Sequence, residues 1–305
     1  MNHTVSHMPS AEELALLRQS VREMLQAIST SSPDKRWPDS WHANWDELDR
    51  QGLWSTLEPP DGSLAAAAVV VEELGRGLYP GPACEALAAT CVSGVRDRRL
   101  AVFATDGVPM VAVPPEALVI TATAEGDLVA VPAGEVDSTA VPSLDVTRRI
   151  VAPRLHTQPA TVMTAADSAR RLLYCADTLG CVDHVVARTA EYAEQRTTFG
   201  SPIGKYQAVA HRLVDHAVTA RQMRLLLNGA IAAFDEQAAD LDLQVATAET
   251  FFWGRATDVV SDCIQLCGAI AFTWEFGHHF YLRRVVQNVA VGGRPHQRLA
   301  QESVW

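Results

Sequence analysis

The spacing of hydrophobic residues changes twice along the 305-residue chain. Over residues 1–98, apolar side chains recur every three to four positions, the period of one face of a helix. Over 99–160, short apolar runs alternate with proline, glycine and acidic turns, which is typical of strands. From 161 to 305 the helical period returns. The pattern predicts a mainly α-helical protein with an N-terminal helical domain, a small middle β-domain and a C-terminal four-helix bundle.

In the first region, Ser10 and Glu13 form a capping-box pattern at the start of a helix that continues to Ile28. A third helix is predicted to end at the glycines 75 and 77. Proline and glycine at 59–62 predict a turn. The predicted helices after the first cover Trp41–Leu53, Ser63–Leu78 and Ala83–Val95.

The middle and C-terminal regions are divided by the same reasoning. The predicted strands are Leu100–Ala104, Met110–Val113, Leu118–Ala122, Leu128–Val131 and Arg148–Leu155. The predicted bundle helices, which alternate in direction, are Ala165–Gln195, Ile203–Glu236, Leu241–Gly268 and Trp274–Val291.

Composition narrows the class of protein. The chain is 48% hydrophobic and 20% charged, as in globular proteins, and its net charge of −11 disfavours nucleic acid and anionic membranes as partners. No apolar run reaches membrane-spanning length, and the N-terminus lacks a signal-peptide pattern. The six cysteines show no zinc-ligand spacing, so we expect buried, reduced thiols, no metal site and a cytoplasmic protein.

The segment between the first two bundle helices carries the clearest chemical signal. Gly200 is predicted to end one helix in a left-handed conformation, and Pro202 to open the next. Arg196 and Phe199 would then lie at the corner, with Gln207 one to two turns into the second helix. An arginine, an aromatic ring and an amide at a helix N-terminus suit a planar, phosphate-bearing ligand, although an ordinary surface turn explains the spacing too.

Two motifs resemble the acyl-CoA dehydrogenase family. The first is Arg196-x-x-Phe199-Gly-x-Pro-Ile203, followed by Gln207 and His211-x-Leu-x-Asp215. The second, Gln265-Leu-Cys-Gly-Ala-Ile-Ala-Phe-Thr-Trp-Glu275, is similar to the family's Gln-Leu-His-Gly-Gly-x-Gly-Phe-Thr-Trp-Glu block. The resemblance implies that fold, FAD as cofactor and an acyl-CoA substrate, with a middle β-domain reduced below the usual size.

The resemblance also assigns cofactor contacts. In the family these two motifs reach across a subunit interface to the pyrophosphate and adenosine of the neighbour's FAD. The residues implied here are Arg196, Phe199, Gln207, Gln265, Leu266 and Gly268. Cys267 replaces the usual histidine, and Ala269 and Ala271 replace two glycines.

The family's catalytic glutamate has no counterpart in this sequence. One family position falls on Val291 when the chain is aligned through Gln297-Arg298, and another falls on Arg170 and Arg171. None of these can accept the α-proton of a thioester. We therefore assign no catalytic residue. The family's Gly-x-Lys-x-Trp strand, which wraps the flavin ring, is also missing, and Val119–Ala122 is only a faint echo of it.

The chain keeps the motifs that contact a neighbour's FAD, but it lacks the base and the flavin-wrapping strand that would complete its own site. Every subunit of a homo-oligomer must supply both parts, so this combination fits a heteromer better. The resemblance points to the short subunit of bacterial α2β2 acyl-CoA dehydrogenases. It implies a longer partner with the glutamate, an electron-transfer flavoprotein as acceptor, and a steroid side-chain CoA ester as one candidate substrate. Two alternatives stay open: a self-sufficient homo-oligomer using Glu249 or Glu275 as base, and a non-enzymatic assembly scaffold.

Overall fold

The computed structural model describes residues 9–28, 38, 40–58, 62–91, 100–123, 127–155 and 161–292. Three predictions therefore lie wholly or partly outside the described residues: the turn at 59–62, the helix end at 92–95 and the alignment anchor Gln297-Arg298. The described part is mainly helical with small sheets, so the predicted fold class is confirmed.

The N-terminal region contains four α-helices among its described residues. They are α1 (Ala11–Ile28), α2 (His42–Arg50), α3 (Leu64–Arg76) and α4 (Ala83–Thr90). The capping box of α1 is confirmed, because Ser10 Oγ accepts from Glu13 N at 3.2 Å and Glu13 Oε2 accepts from Ser10 N at 2.7 Å.

The predicted end of the third helix at glycines 75 and 77 is confirmed, because α3 ends at Arg76, Gly77 is its C-cap and Gly75 lies in its last turn. The backbone of Gly75 touches α5, and a Cβ built on Gly75 would lie 2.2 Å from the Asp177 carbonyl oxygen. Helix α3 ends in a Schellman motif, with Tyr79 N donating to Leu74 O and Leu78 N to Gly75 O. Leu78, with φ of 53°, holds the left-handed position that glycine usually fills.

The middle region forms two three-stranded sheets. One has the order β1 (Ala101–Phe103), β3 (Leu118–Ala122) and β4 (Leu128–Pro132), with β1 parallel and β4 antiparallel to β3. The other has the order β2 (Met110–Val111), β6 (Ile150–Pro153) and β5 (Ser138–Val141), all antiparallel. Strand β5 was not predicted, because three of its four residues are exposed and it lacks an apolar face.

The C-terminal region is the expected bundle of α5 (Thr161–Gln195), α6 (Gln207–Asp235), α7 (Leu241–Cys267) and α8 (His278–Gly292). Helix α5 lies at its centre and packs against the other three and against α3 and α4. The predicted starts of the second and fourth helices are wrong, since α6 begins four residues after Ile203 and α8 four residues after Trp274. All six cysteines are free and buried, as expected.

A buried ionic cluster ties the β-domain to the bundle. Arg284 of α8 forms an ion pair with Asp145. Asp177 of α5 forms ion pairs with both Arg284, at 3.3 Å, and Arg148, at 3.0 Å. Asn288 Nδ2 also donates to Asp177 at 2.7 Å. Burial alone would raise the pKa of Asp177, but the two arginines and Asn288 hold it below the ordinary value.

Candidate cofactor-contacting end of the bundle

Residues 197–202 form a β-hairpin in the predicted corner between the first two bundle helices. Helix α5 ends at Gln195, and β7 (Thr197–Thr198) pairs antiparallel with β8 (Ser201–Pro202). The two turn residues, Phe199 and Gly200, have φ of 52° and 80°. Positive φ at both central positions is the pattern of a type I′ turn, which matches the twist of a tight hairpin.

Two details of the sequence prediction are therefore corrected. Gly200 does adopt positive φ, but as part of the hairpin turn and not as a helix cap. Gln207 is the first residue of α6, because residues 203–205 form a separate 3₁₀ turn before it. The β-hairpin was missed because its strands have only two residues each, too short for alternation to be read.

The candidate cofactor contacts of the hairpin and of the first turn of α6 are exposed to solvent. Arg196, Phe199 and Gln207 are all exposed, and Phe199 is 95% exposed. The backbone beneath them is fixed, since Arg196 N donates to Tyr192 O and Ile203 N donates to Arg196 O, both at 2.8 Å. Tyr206 Oη donates to Thr198 O at 2.8 Å and closes the hairpin onto α6.

The second motif lies at the same end of the bundle. The carboxylate of Asp262 in α7 is hydrogen-bonded to Arg212 and His216 of α6, with His216 Nε2 2.6 Å from Asp262 Oδ2. The C-terminus of α7 therefore lies beside the N-terminus of α6. Arg212, followed by His216, lowers the pKa of Asp262. Gln265 and Leu266, one turn further along α7, are exposed and half-buried respectively.

Gly268 ends α7 with φ of 72° and ψ of −148°, a conformation that essentially only glycine adopts. A Cβ built there would meet no atom within 4 Å, so the position is open to another molecule. Residues 196–207 and 265–274 together are called the hairpin end of the bundle. Sequence reasoning missed its further exposed apolar side chains, Ile270, Phe272 and Trp274.

Val291, Arg170 and Arg171, which the resemblance aligns with the family's base, are buried. Val291 is 2% exposed in the last turn of α8. Arg170 is buried against Tyr174, with its guanidinium carbon 5.8 Å from the ring centre and Nη2 donating to Asp167 at 3.1 Å. Asp167 therefore lies within α5 as an ion-pair partner and not at the helix start as a cap.

The two alternative bases differ in their surroundings. Glu249 is fully buried, and its two oxygens accept from Nε and Nη2 of Arg171. Burial lowers the pKa of Arg171, but its hydrogen bonds to Glu249 outweigh this and keep the pKa above its ordinary value. Glu249 is thus held as one half of a buried ion pair, while Glu275 is exposed at the hairpin end.

Strand β3, which contains the weak match Val119–Ala122 to the flavin-wrapping motif, has no exposed face. All five residues of β3 are buried. Ile120 belongs to the main core, while Val119 packs in the smaller core of the β-domain with Val102 and Met110. A flavin ring would find both faces of β3 already covered.

Comparison with known proteins decides the family. The model of the acyl-CoA dehydrogenase C-terminal domain matches residues 160–294. Acyl-CoA dehydrogenase IpdE2 of Mycolicibacterium smegmatis is 30% identical over 313 residues, which span 95% of this chain and 97% of that protein. This chain belongs to the acyl-CoA dehydrogenase family.

Solved structures agree on the fold. The ChsE4-ChsE5 complex of Mycobacterium tuberculosis superposes with a TM-score of 0.76 at 20% identity, covering 96% of each chain. The Tcur3481-Tcur3483 steroid ACAD G363A variant gives 0.76 at 21% identity, covering 95% of this chain and 96% of that one. The family uses FAD, and solved structures of this fold contain FAD or its reduced form.

The hairpin end has features that fit FAD, whereas the β-domain does not. The exposed cation at Arg196, the protruding ring of Phe199 and the open backbone at Gly268 suit the pyrophosphate and adenosine half. The buried strand β3 does not suit the ring half. Among the described residues, no helix is both long and apolar enough to cross a membrane.

Proposed function

We propose that this chain is the FAD-contacting subunit of a heteromeric acyl-CoA dehydrogenase, with the catalytic glutamate supplied by a longer partner subunit. The observation that carries the proposal is the hairpin: Phe199 is 95% exposed on a turn that strains its backbone. An exposed aromatic ring in an unfavourable conformation is retained where it touches another molecule. The absence of a carboxylate at the expected positions and the covered faces of β3 support a partner subunit that carries out the chemistry.

Three polar side chains of the hairpin end and the N-terminus of α6 then bind the partner's FAD. Arg196 forks onto the pyrophosphate, and the amides of Gln207 and Gln265 bind the adenosine half. No side chain caps the N-terminus of α6, so its first N–H groups are free for a phosphate oxygen. Bound FAD supplies the hydride acceptor for desaturation of the acyl-CoA thioester.

The substrate and acceptor follow from the same proposal. A CoA ester of a steroid side chain fits best, because a solved heteromeric neighbour is described as a steroid enzyme. The acceptor is an electron-transfer flavoprotein, and the partner is a longer paralogue with an intact glutamate. The self-sufficient alternative is weakened because Glu249 is committed to Arg171.

The test is co-expression with such a paralogue, followed by measurement of the flavin-to-protein ratio from the absorption spectrum. The chain alone should retain little FAD, and the complex should retain it stoichiometrically. Arg196→Ala in this chain should lower occupancy of the complex by about tenfold at limiting FAD, since a charge-assisted hydrogen bond contributes about 1.5–3 kcal/mol. Arg50→Ala, an exposed arginine of α2, is the matched control.

Three results would contradict the proposal. Stoichiometric flavin in the isolated chain would favour the homo-oligomer, and turnover lost on Glu275→Gln would identify its base. Unchanged flavin occupancy after Arg196→Ala, in a complex that still assembles, would favour the scaffold.

A further inference from the structure

A second concave site lies far along the chain from the hairpin end. A cavity of approximately 420 Å³ opens between α1, the start of α2, the end of α3 and the middle of α5. Cavities of about 300–1,000 Å³ are the usual size for small-molecule sites. Its lining includes none of the six candidate cofactor contacts, and the proposed function leaves it unused.

Part of the cavity wall is aromatic and aliphatic. Trp41 lines it and stacks on His42, with ring centres 3.8 Å apart. His184 lines it from α5 and stacks on Tyr281 at 4.5 Å. Burial, together with the nearby positive charges of Arg76 and Arg188, lowers the pKa of His184 to about 4, so its ring is neutral at pH 7. With Leu25, these side chains form a surface for an apolar body.

The opposite part of the lining carries excess positive charge. Glu73 accepts from Arg22 at 2.8 and 2.9 Å and from Arg18 at 3.0 Å, so its oxygens are already shared. Glu72 is likewise shared by Arg18 and Arg224. In this cluster, four arginines share three carboxylates, which are Glu72, Glu73 and Asp183.

Among the described residues, Arg76 is the arginine of this cluster that makes an ion pair with Glu73 but no side-chain hydrogen bond. Its Nε is buried and has no hydrogen-bond partner, and the closest carboxylate oxygen of Glu73 is 3.5 Å away. A guanidinium offers five N–H donors, and buried donors without an acceptor are rare because each costs free energy. Arg76 lines the cavity and its side chain is 26% exposed, so a ligand carboxylate can reach the accessible part of the guanidinium, although not the buried Nε.

The loop that carries this wall is held rigidly from behind. Tyr281 Oη donates to Arg76 O at 2.8 Å, and Arg284 Nη2 donates to Leu78 O at 3.3 Å. Arg148 Nη2 donates to Tyr79 O, also at 3.3 Å. Leu78 itself keeps a strained φ of 53°. A preformed wall lowers the entropy cost of binding a ligand.

We propose that this cavity binds a small amphipathic carboxylate, with the anionic group on Arg76 and the apolar body against Leu25, Trp41 and His184. One surplus positive charge matches one negative charge, and the stacked rings match a flat or alicyclic body. The site is separate from the proposed FAD contacts, and its test requires no flavin.

The experiment is isothermal titration of the full chain, alone or in its complex, with 2-naphthoate at pH 7.5. Saturable binding of one molecule per chain is expected. Arg76→Gln should weaken it by about tenfold or more, as expected for loss of a charge-assisted hydrogen bond. Arg76→Lys should restore part of the affinity, and 2-naphthylmethanol, which lacks the charge, should bind the native chain at least tenfold more weakly. Arg50→Gln removes an exposed arginine outside the cavity and should change nothing.

Absence of saturable binding would overturn the proposal. So would equal affinity for the acid and the alcohol, or equal affinity in Arg76→Gln and the native chain. Circular dichroism of each variant checks the fold. If Arg76→Gln does not fold, the comparison of acid and alcohol on the native chain decides the matter.

Discussion

Phe199 is poorly suited to its own backbone conformation, and the proposed contact with FAD would account for its presence there. A type I′ turn favours asparagine before glycine, yet this chain places a phenylalanine there at φ of 52°. Leu78 and Gln237 also hold positive φ, but both lie at helix ends, where the left-handed position is common. Within the described residues, only the hairpin combines a strained backbone with an almost fully exposed aromatic ring.

Phe199→Asn should therefore separate stability from function. We expect the free energy of unfolding to rise by up to about 1 kcal/mol, because asparagine tolerates the left-handed region. Flavin retention by the complex should fall, as measured by dialysis and absorption. Leu16→Asn removes a similarly exposed apolar side chain from α1 and should leave retention unchanged. A stable Phe199→Asn complex with full flavin would argue against a role for the ring.

His278 predicts a pH dependence of stability. It is fully buried, its Nε2 lies 3.1 Å from Thr189 Oγ1, and its Nδ1 has no partner. Burial lowers its pKa from 6.5 to about 3. Below about pH 6.5 the unfolded chain takes up a proton at His278, whereas the folded chain keeps this ring neutral until about pH 3. The contribution of His278 to the free energy of unfolding is therefore fully present above pH 6.5 and is lost as the pH falls toward 3.

Between pH 7.5 and pH 5, this single group should cost about 2 kcal/mol of unfolding free energy. In His278→Gln, urea denaturation should show a correspondingly smaller loss over the same interval. Each protein serves as its own reference at pH 7.5. Parallel losses in the native and variant proteins would show that His278 does not set the dependence.

At the scale of elements, two glycines allow α3 and α5 to cross at close range. A Cβ on Gly180 would lie 1.9 Å from Glu72 O, and one on Gly75 would lie 2.2 Å from Asp177 O. Both neighbours are backbone atoms, which cannot move aside as a flexible side chain can. The crossing holds the N-terminal helices against the central helix of the bundle.

Gly180→Ala should destabilise the protein by about 3 kcal/mol or more, because the helices must separate. The matched control is Gly229→Ala in α6, where an added Cβ meets no atom within 4 Å. That change should instead stabilise by about 0.5–1 kcal/mol, since alanine is the better helix former. Opposite signs in thermal unfolding would confirm the crossing, while equal effects would contradict it.

At the scale of the whole molecule, the buried ion cluster joins three regions that are far apart in sequence. Arg284 of α8 contacts Asp145 of the β-domain, Asp177 of α5 and the carbonyl of Leu78 after α3. Such a cluster fixes relative positions, because breaking it leaves buried charges without partners. It therefore also fixes the loop that lines the proposed carboxylate cavity.

Arg284→Met should lower the free energy of unfolding by about 3–5 kcal/mol. The same change at Arg154, which makes an exposed ion pair with Asp137 at 3.8 Å, should have an effect within about 1 kcal/mol. Urea denaturation followed by fluorescence measures both. Comparable effects at the two sites would show that the cluster does not hold the regions together.

The sequence alone correctly predicted the fold class, most helices and the family, because apolar periodicity is local and two motifs are specific. The domain bounds stay a prediction. The expectation that Val291, Arg170 and Arg171 stand where the family has its base comes from matching the motifs and stays a prediction. The sequence did not determine the β-hairpin at 197–202, whose strands are too short to show a period. It did not show that Gly75 lies against α5, because a close contact between two helices cannot be read from one segment.

Only the tertiary structure decided which polar residues are committed to one another. Glu249 is 78 positions from Arg171, and Arg284 is 139 from Asp145, so no local pattern relates them. The same holds for the cavity at Arg76, whose walls come from four separate helices. The six candidate FAD contacts occupy one end of the bundle because antiparallel packing brings the start of α6 beside the end of α7.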